Sequence, residues 1–276
     1  MNRIFVWVLI AAVCALAGPL PLRAQFTAAE IAERPAIEEF LLTAEIIKAE
    51  QIGEGVTKPW RLFLKKGDKE RRAAWKNPSG IMYGFEDSWK CEIAAYRLDK
   101  LIGLNMIPVY VEREFQGQKG CLSDWAENTR SLLKIAEANI PLPEAVNNAK
   151  YLTRAWDCLI ANEDRTQQNI LYTPDWRTIL FDHSRSFRST GEFLTRLMNG
   201  RNGIKKSESG QPWLFRRLPR WFVTKLKALD FQSIRGAVGP YLTDDEIKAV
   251  LIHRDLLLQE IDLMIKEQGE AAVLYD

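Results

Sequence analysis

The chain is 276 residues long and carries 38 lysines and arginines against 36 aspartates and glutamates, a formal net charge of +2. Its 47% hydrophobic and 27% charged content is that of an ordinary soluble globular protein, long enough to bury a full core as one large domain or as two lobes. So balanced a charge gives no general argument for a nucleic-acid or anionic-membrane partner, and no internal repeat or low-complexity segment points to a solenoid or a linker.

The opening stretch, MNRIFVWVLIAAVCALAGPLPLRAQ, has a positive start at Arg3, an apolar run from Ile4 to Leu16 and a tolerable cleavage site at Leu22-Arg23-Ala24. This predicts an export signal over residues 1–24 and a mature chain from Gln25, placed in a periplasm, a secretory pathway or the cell exterior. An uncleaved anchor is the alternative, but the apolar run is short for a span and Pro19 and Pro21 interrupt its end. Val13 before Cys14 argues against a lipoprotein. Removing residues 1–24 takes away Arg3, Arg23 and no acid, so 38 against 36 becomes 36 against 36. Cys91, Cys121 and Cys158 remain, and their odd number and wide spacing read as buried thiols, with a pairing of Cys121 left open.

Residues 25–45 predict a short amphipathic lead-in helix broken at Pro35. The stretch from Ala44 to Pro78 reads as strands joined by turns, one at Gly53 and Gly55 through Pro59, the other at Lys66-Gly67-Asp68. Apolar residues at 89, 93, 94, 96, 98, 101 and 102 predict a helix, with Asp87 or Ser88 as cap and Gly103 as stop. NMIPVYVEREF follows as two short strands or one bent strand, divided near Pro108. From about residue 121 the pattern turns helical, with a surface helix over LSDWAENTRSLLKIAEAN and a long buried one over PEAVNNAKYLTRAWDCLIANE. NILYTP and TILFDHS form a small hairpin about Pro174-Asp175, followed by a polar loop at 199–211 and helices near 219–229 and 243–268. Strands plus one helix, then mostly helices, is an α+β layout in two lobes.

Within LIANEDRTQQNILYTPDWRTILFDHSRSF, Asp164 lies in a loop after a buried helix, Asn169 starts a hairpin strand and Asp182 ends its partner. A hairpin sets strand ends side by side, so Asn169 and Asp182 can offer two oxygens to a divalent cation, while Asp164 faces the same pocket. The ordinary reading of such residues is turn and cap formation. His253 reads as a satisfied structural residue and His183 as either structural or orienting Asp182. Arg165 either neutralises phosphate or pairs with an acid. The basic-aromatic run at 213–227 reads as a helix face covering the core rather than a dock for an acidic substrate.

In these residues the sequence resembles the atypical, protein-kinase-like superfamily. NEDRTQQNIL is similar to the N-x-D-R…N loops of secretory-pathway, phosphoinositide and HipA-type kinases, and DHS stands where the metal-binding Asp opens D-F-G. The resemblance implies a bilobal fold, with a strand-rich N-lobe over 46–115 and a helical C-lobe over 116–276. It implies ATP and Mg²⁺ or Mn²⁺, with Asp164 as catalytic base and Asn169 and Asp182 as metal ligands. Lys76 in AAWK would grip the α- and β-phosphates with Glu92 as its ion-pair partner, and the turn of Gly53, Gly55 and Lys58 would cover the phosphates. Asn162 replaces the usual histidine, His183 replaces phenylalanine and the glycine turn lacks the full G-x-G-x-x-G, changes shared by atypical kinases and pseudokinases. The implied activity is phosphoryl transfer to a hydroxyl of a protein, sugar, lipid or metabolite. A nucleotide-binding or interaction module without turnover, and nucleotidyl transfer, remain as alternatives.

Overall fold

The computed structural model describes residues 25–53, 58–82, 84–144, 146–162, 164–191 and 216–276. The predicted export signal, Gly55 and the polar loop at 199–211 lie outside the described residues. Helix α1 (Ala28–Thr43) opens on a capping box between Thr27 and Glu30 and runs unbroken through Pro35, where a break was expected. Burial of Arg34, Phe40 and Leu41 anchors the helix on both sides of the proline. Arg34 reaches Asp99 at 3.2 Å and Asn105 Oδ1 at 2.9 Å, so tertiary contacts outweigh the lost backbone bond.

The strand-rich part is a five-stranded antiparallel sheet in the order β1-β2-β3-β7-β6. Its strands are β1 (Glu45–Gln51), β2 (Trp60–Lys66), β3 (Lys69–Lys76), β6 (Tyr110–Phe115) and β7 (Gln118–Asp124). The Lys66–Lys69 turn joins β2 to β3 as the pattern predicted. The stretch before Tyr110 is not strand, so β6 is one strand rather than two or a bent one. The larger correction is β7. Residues from 121 read as helix, yet Cys121 and Leu122 are fully buried between β3 and β6. Its buried stretch, Gly120 to Ser123, is covered on both sides and shows no in-out alternation, so the sequence offers no strand signal there. The sheet therefore runs to Asp124, past the lobe boundary expected at 115. The helix expected over 122–139 shrinks to α3 (Leu132–Glu137).

A hairpin of β4 (Ser79–Met82) and β5 (Phe85–Ser88) feeds α2 (Trp89–Ile102), which is capped by Ser88 and stopped by Gly103 at φ +78°, as its pattern predicted. The remainder is helical apart from small sheets. A three-stranded sheet joins β8 (Arg130–Ser131), which lies before α3 and helix α4 (Val146–Leu159), to β9 (Ile170–Tyr172) and β10 (Thr178–Leu180), which follow them. Then come α5 (Arg220–Ala228), α6 (Phe231–Val238) and α7 (Asp244–Gln268). The pattern missed α6, which a capping box between Asp230 and Ser233 starts. On α5 the buried residues are Phe222, Val223 and Leu226, the core-covering face expected of that run. Cys91, Cys121 and Cys158 are buried thiols, and Cys121 forms no disulfide among the described residues, the pairing that the sequence left open. Trp75, Tyr96, Trp156, Phe187 and Phe222 share one hydrophobic core that spans both parts. Among the described residues no helix is long and apolar enough to cross a membrane.

Candidate active site

Strand β3 delivers Lys76 at its end, opposite Cys121 of β7. Gly120 lets the strands close there, because a Cβ on it would lie 2.7 Å from the Lys76 carbonyl and 2.9 Å from the Trp75 ring. The first turn of α2 delivers Glu92, fully buried, where the positive end of the helix dipole favours a carboxylate. Lys76 Nζ lies 2.5 Å from Glu92 Oε1 and 2.5 Å from Asp182 Oδ1. Burial alone would lower the Lys76 ammonium, but Asp182 and Glu92 together hold it well above its usual range. Burial would raise Glu92, and Lys76 with His183 more than reverses that, so the carboxyl stays ionised.

Asp182 follows β10 in the left-handed region at φ +62°, a conformation that non-glycine residues adopt with strain and that concentrates at functional sites. Its hairpin pairs Leu180 with Ile170, and the Phe181 amide donates to the Asn169 carbonyl at 3.4 Å. Asn169 and Asp182 thus sit at the same end of the hairpin, although Asn169 closes a 3₁₀ turn (Gln167–Asn169) rather than starting the strand. Asn169 Nδ2 donates to the Asp164 carbonyl at 3.0 Å, which leaves its oxygen as the acceptor end of the amide.

Arg165 joins these pieces. Its guanidinium, 3% exposed, holds both oxygens of Asp157 in α4 at 2.9–3.2 Å and donates to the carbonyls of Asn169 (3.1 Å) and Phe181 (2.7 Å). That decides between its two sequence readings, because a buried, fully engaged guanidinium pairs with an acid and has no donor to offer phosphate. It also donates to His183 Nε2 at 2.8 Å, which puts the imidazole proton on Nδ1, 3.8 Å from Glu92 Oε2. His183 is fully buried, and burial with the Arg165 charge keeps its pKa low and the ring neutral. It therefore backs Glu92 rather than Asp182. Asn162 buttresses the loop, accepting from the Asp164 amide at 3.0 Å and donating to Asp157 Oδ1 at 3.1 Å.

Asp164 carries the half-exposed carboxylate of the group. Arg185 Nη1 lies 3.1 Å from its Oδ2, and Arg185 Nε grips both oxygens of buried Asp87 at 3.1 Å. Burial pushes the Asp164 carboxyl up, Arg185 opposes this, and Asp182 and Asp87 add to it. Sequence reasoning missed Asp87, Asp157 and Arg185 as site members; their one legible signal is an acid or arginine in an otherwise apolar or cap setting. Four carboxylates (Asp87, Glu92, Asp164, Asp182) meet two cations (Lys76, Arg185) here. That excess of hard oxygen ligands fits a divalent cation that keeps water and phosphate in its shell, although no three His, Cys, Asp or Glu close a cage among the described residues.

Lys58 is exposed at φ +44° and makes no hydrogen bond or ion pair among the described residues, and an added Cβ on Gly53 meets nothing. The structure does not join either to the cluster. Lys65 and Lys66 pair outward with Glu70 and Glu39. His253 is buried with Nδ1 3.2 Å from the Leu159 carbonyl, the structural role its sequence setting suggests.

No family model matches the chain, and no curated protein matches it by sequence. Solved structures do. The chain superposes on hydra Fam20, determined with sugar, at a TM-score of 0.62 and 15% identity over 91% of this chain and 95% of that one. The Golgi casein kinase with Mn/ADP bound gives 0.62 at 11% identity over 88% and 79%. The Helicobacter pylori proinflammatory kinase CtkA gives 0.52 at 12% over 83% and 98%. The fold is therefore that of the atypical, protein-kinase-like proteins, an α+β fold with a small strand-rich part and a helical part. This is the fold that the Asp-Asn-Asp resemblance implied.

Proposed function

We propose that the chain is an ATP- and divalent-cation-dependent phosphotransferase acting on a hydroxyl acceptor. The observation that carries this reading is Lys76, held at 2.5 Å from both Glu92 and Asp182, three residues from a strand, a helix and a hairpin end. An ammonium pinned between two carboxylates is pre-aimed for phosphate oxygens and stays charged. The strand-rich lobe, taken here to Asp124, would contribute Lys76, Glu92 and the turn of Gly53, Gly55 and Lys58 over the phosphates. The helical lobe would contribute Asp164, Asn169 and Asp182.

Asn169 and Asp182 would hold Mg²⁺ or Mn²⁺, which neutralises phosphate charge when bound. Asp164 would accept the acceptor's proton as the hydroxyl oxygen bonds to the γ-phosphorus, while the bond to the β–γ bridging oxygen breaks and ADP leaves with that electron pair. A carboxyl raised by burial is a better base than a free aspartate, and Arg185 opposes that rise. A neighbour holding Mn/ADP supports the donor and metal assignment, and a Golgi neighbour supports export.

The test is thermal melting of the chain from Gln25 with and without Mn²⁺ or Mg²⁺ plus ATP. A ligand bound to the native state must raise the melting temperature. We expect a metal-dependent rise that Asp182→Ala abolishes and Asp164→Ala keeps, with ADP formation lost in both. Absence of any rise in the unsubstituted chain would overturn the reading. A rise without turnover against any hydroxyl acceptor would leave a nucleotide-binding module.

A further inference from the structure

A cavity of about 530 Å³ borders α2 through Tyr96, Arg97, Lys100 and Leu101, within the size range of small-ligand pockets. Its walls come from α1, α2, β6, Ala237 of α6 and the 3₁₀ turn Gly239–Tyr241, so both parts of the fold border it. The body of the wall is aromatic and aliphatic, with Tyr96, Tyr110 and Tyr241 beside Leu42, Leu101 and Val111.

The charged groups around it are almost all engaged. Glu38 accepts from the Tyr96 hydroxyl and from Lys100, each at 2.6 Å. Glu112 accepts from the Tyr241 hydroxyl at 3.1 Å and pairs with Lys119 at 3.0 Å. Arg97 is the exception. Its guanidinium lies 4.7 Å over the Tyr241 ring and makes no hydrogen bond or ion pair among the described residues. One Nη rests against bare Gly239, where a Cβ would stand 3.2 Å away. A planar fork stacked on an aromatic face with its donors free matches a carboxylate geometrically, and a lysine would not.

We propose that this cavity binds a small ligand made of a carboxylate head and a flat or aliphatic apolar body, the head on Arg97 and the body among the three tyrosines. Lys100 and Lys119 already neutralise Glu38 and Glu112, and Arg97 adds to the field on Glu38 without a hydrogen bond to it, so its donors stay open to a ligand carboxylate. A bound ligand would touch α2 and β6 together. Those elements hold Glu92 and Tyr110, and the Tyr110 hydroxyl, raised by burial and then by Glu92, shows how close the cavity lies to the Lys76 pair. Occupancy would therefore bias the placement of α2.

The experiment is methyl NMR on Leu42, Leu101 and Val111 during titration with 2-naphthoate and with octanoate, each beside its neutral amide. Saturable shifts confined to these methyls are expected from at least one carboxylate, about tenfold weaker for the amide and for Arg97→Gln. Arg97 holds no other part of the fold by a hydrogen bond, and equal melting of the variant checks this. No saturable shift from either carboxylate, or equal affinity for acid and amide, overturns the proposal. The titration contains no nucleotide, so it stands or falls apart from the phosphotransferase reading.

Discussion

Arg165 holds three chain segments with one guanidinium, and Asp157 beneath it is 1% exposed. Removing the cation strands a buried carboxylate, which costs about 3–5 kcal/mol. We expect Arg165→Met to lower the unfolding free energy by that amount in urea denaturation, while Lys65→Ala on the exposed Glu70 pair leaves the midpoint unchanged. Gly120 is the second residue under tight constraint. Gly120→Ala forces a methyl against the Lys76 carbonyl and the Trp75 ring, an overpacking penalty of about 1–3 kcal/mol. Its measurable signature is a lower melting temperature together with a smaller rise from metal and ATP, because the displaced strand end carries Lys76. Asp164, Asn169 and Asp182 were legible as a spaced set because loop and hairpin offsets are local. Arg185 and Asp87 were not, since 98 positions separate them and nothing in either neighbourhood announces the other.

At the scale of elements, α2 was legible in full, because cap, apolar period and glycine stop agree with one another. Helix α1 and strand β7 were misread for opposite reasons. In α1 a strong local breaker was overruled by burial on either side of it. In β7 a weak local pattern was overruled by two flanking strands. Pro35 is exposed and lacks the amide that would bond to the Ile31 carbonyl, so Pro35→Ala should raise stability by about 1–3 kcal/mol in denaturant melts. A drop instead would mean that the proline sets the angle at which Arg34 enters its pocket.

For the whole molecule, stability against pH depends on buried groups that join distant elements. His253 of α7, against the Leu159 carbonyl of α4, is pushed by burial from 6.5 down to about 4. The unfolded chain therefore binds a proton that the folded chain refuses. Stability contributed by the neutral ring is complete above about pH 6.5 and is lost as pH falls towards 4, by up to about 3 kcal/mol. Asp99 and Asp124, raised by burial to about 6, act in the opposite sense, because the folded state takes their protons first as pH falls from 6. The two carboxyls are common to His253→Gln and the unsubstituted chain, so their difference isolates the histidine. Melting temperatures should converge between pH 6.5 and 4, the variant losing less; parallel curves would remove His253 from the account.

The amino-acid sequence by itself determined the elements whose signals are local, the capped helix, the short hairpin and the spacing of Asp164, Asn169 and Asp182, since periodicity and turn chemistry act within a few residues. Tertiary structure alone decided that β7 is a central strand, that Asp182 joins the expected Lys76–Glu92 pair, and that Arg165 and Arg185 tie the loops around them. Those outcomes turn on burial and on charges brought together from far along the chain, where the strength of each pairing is set by water exclusion.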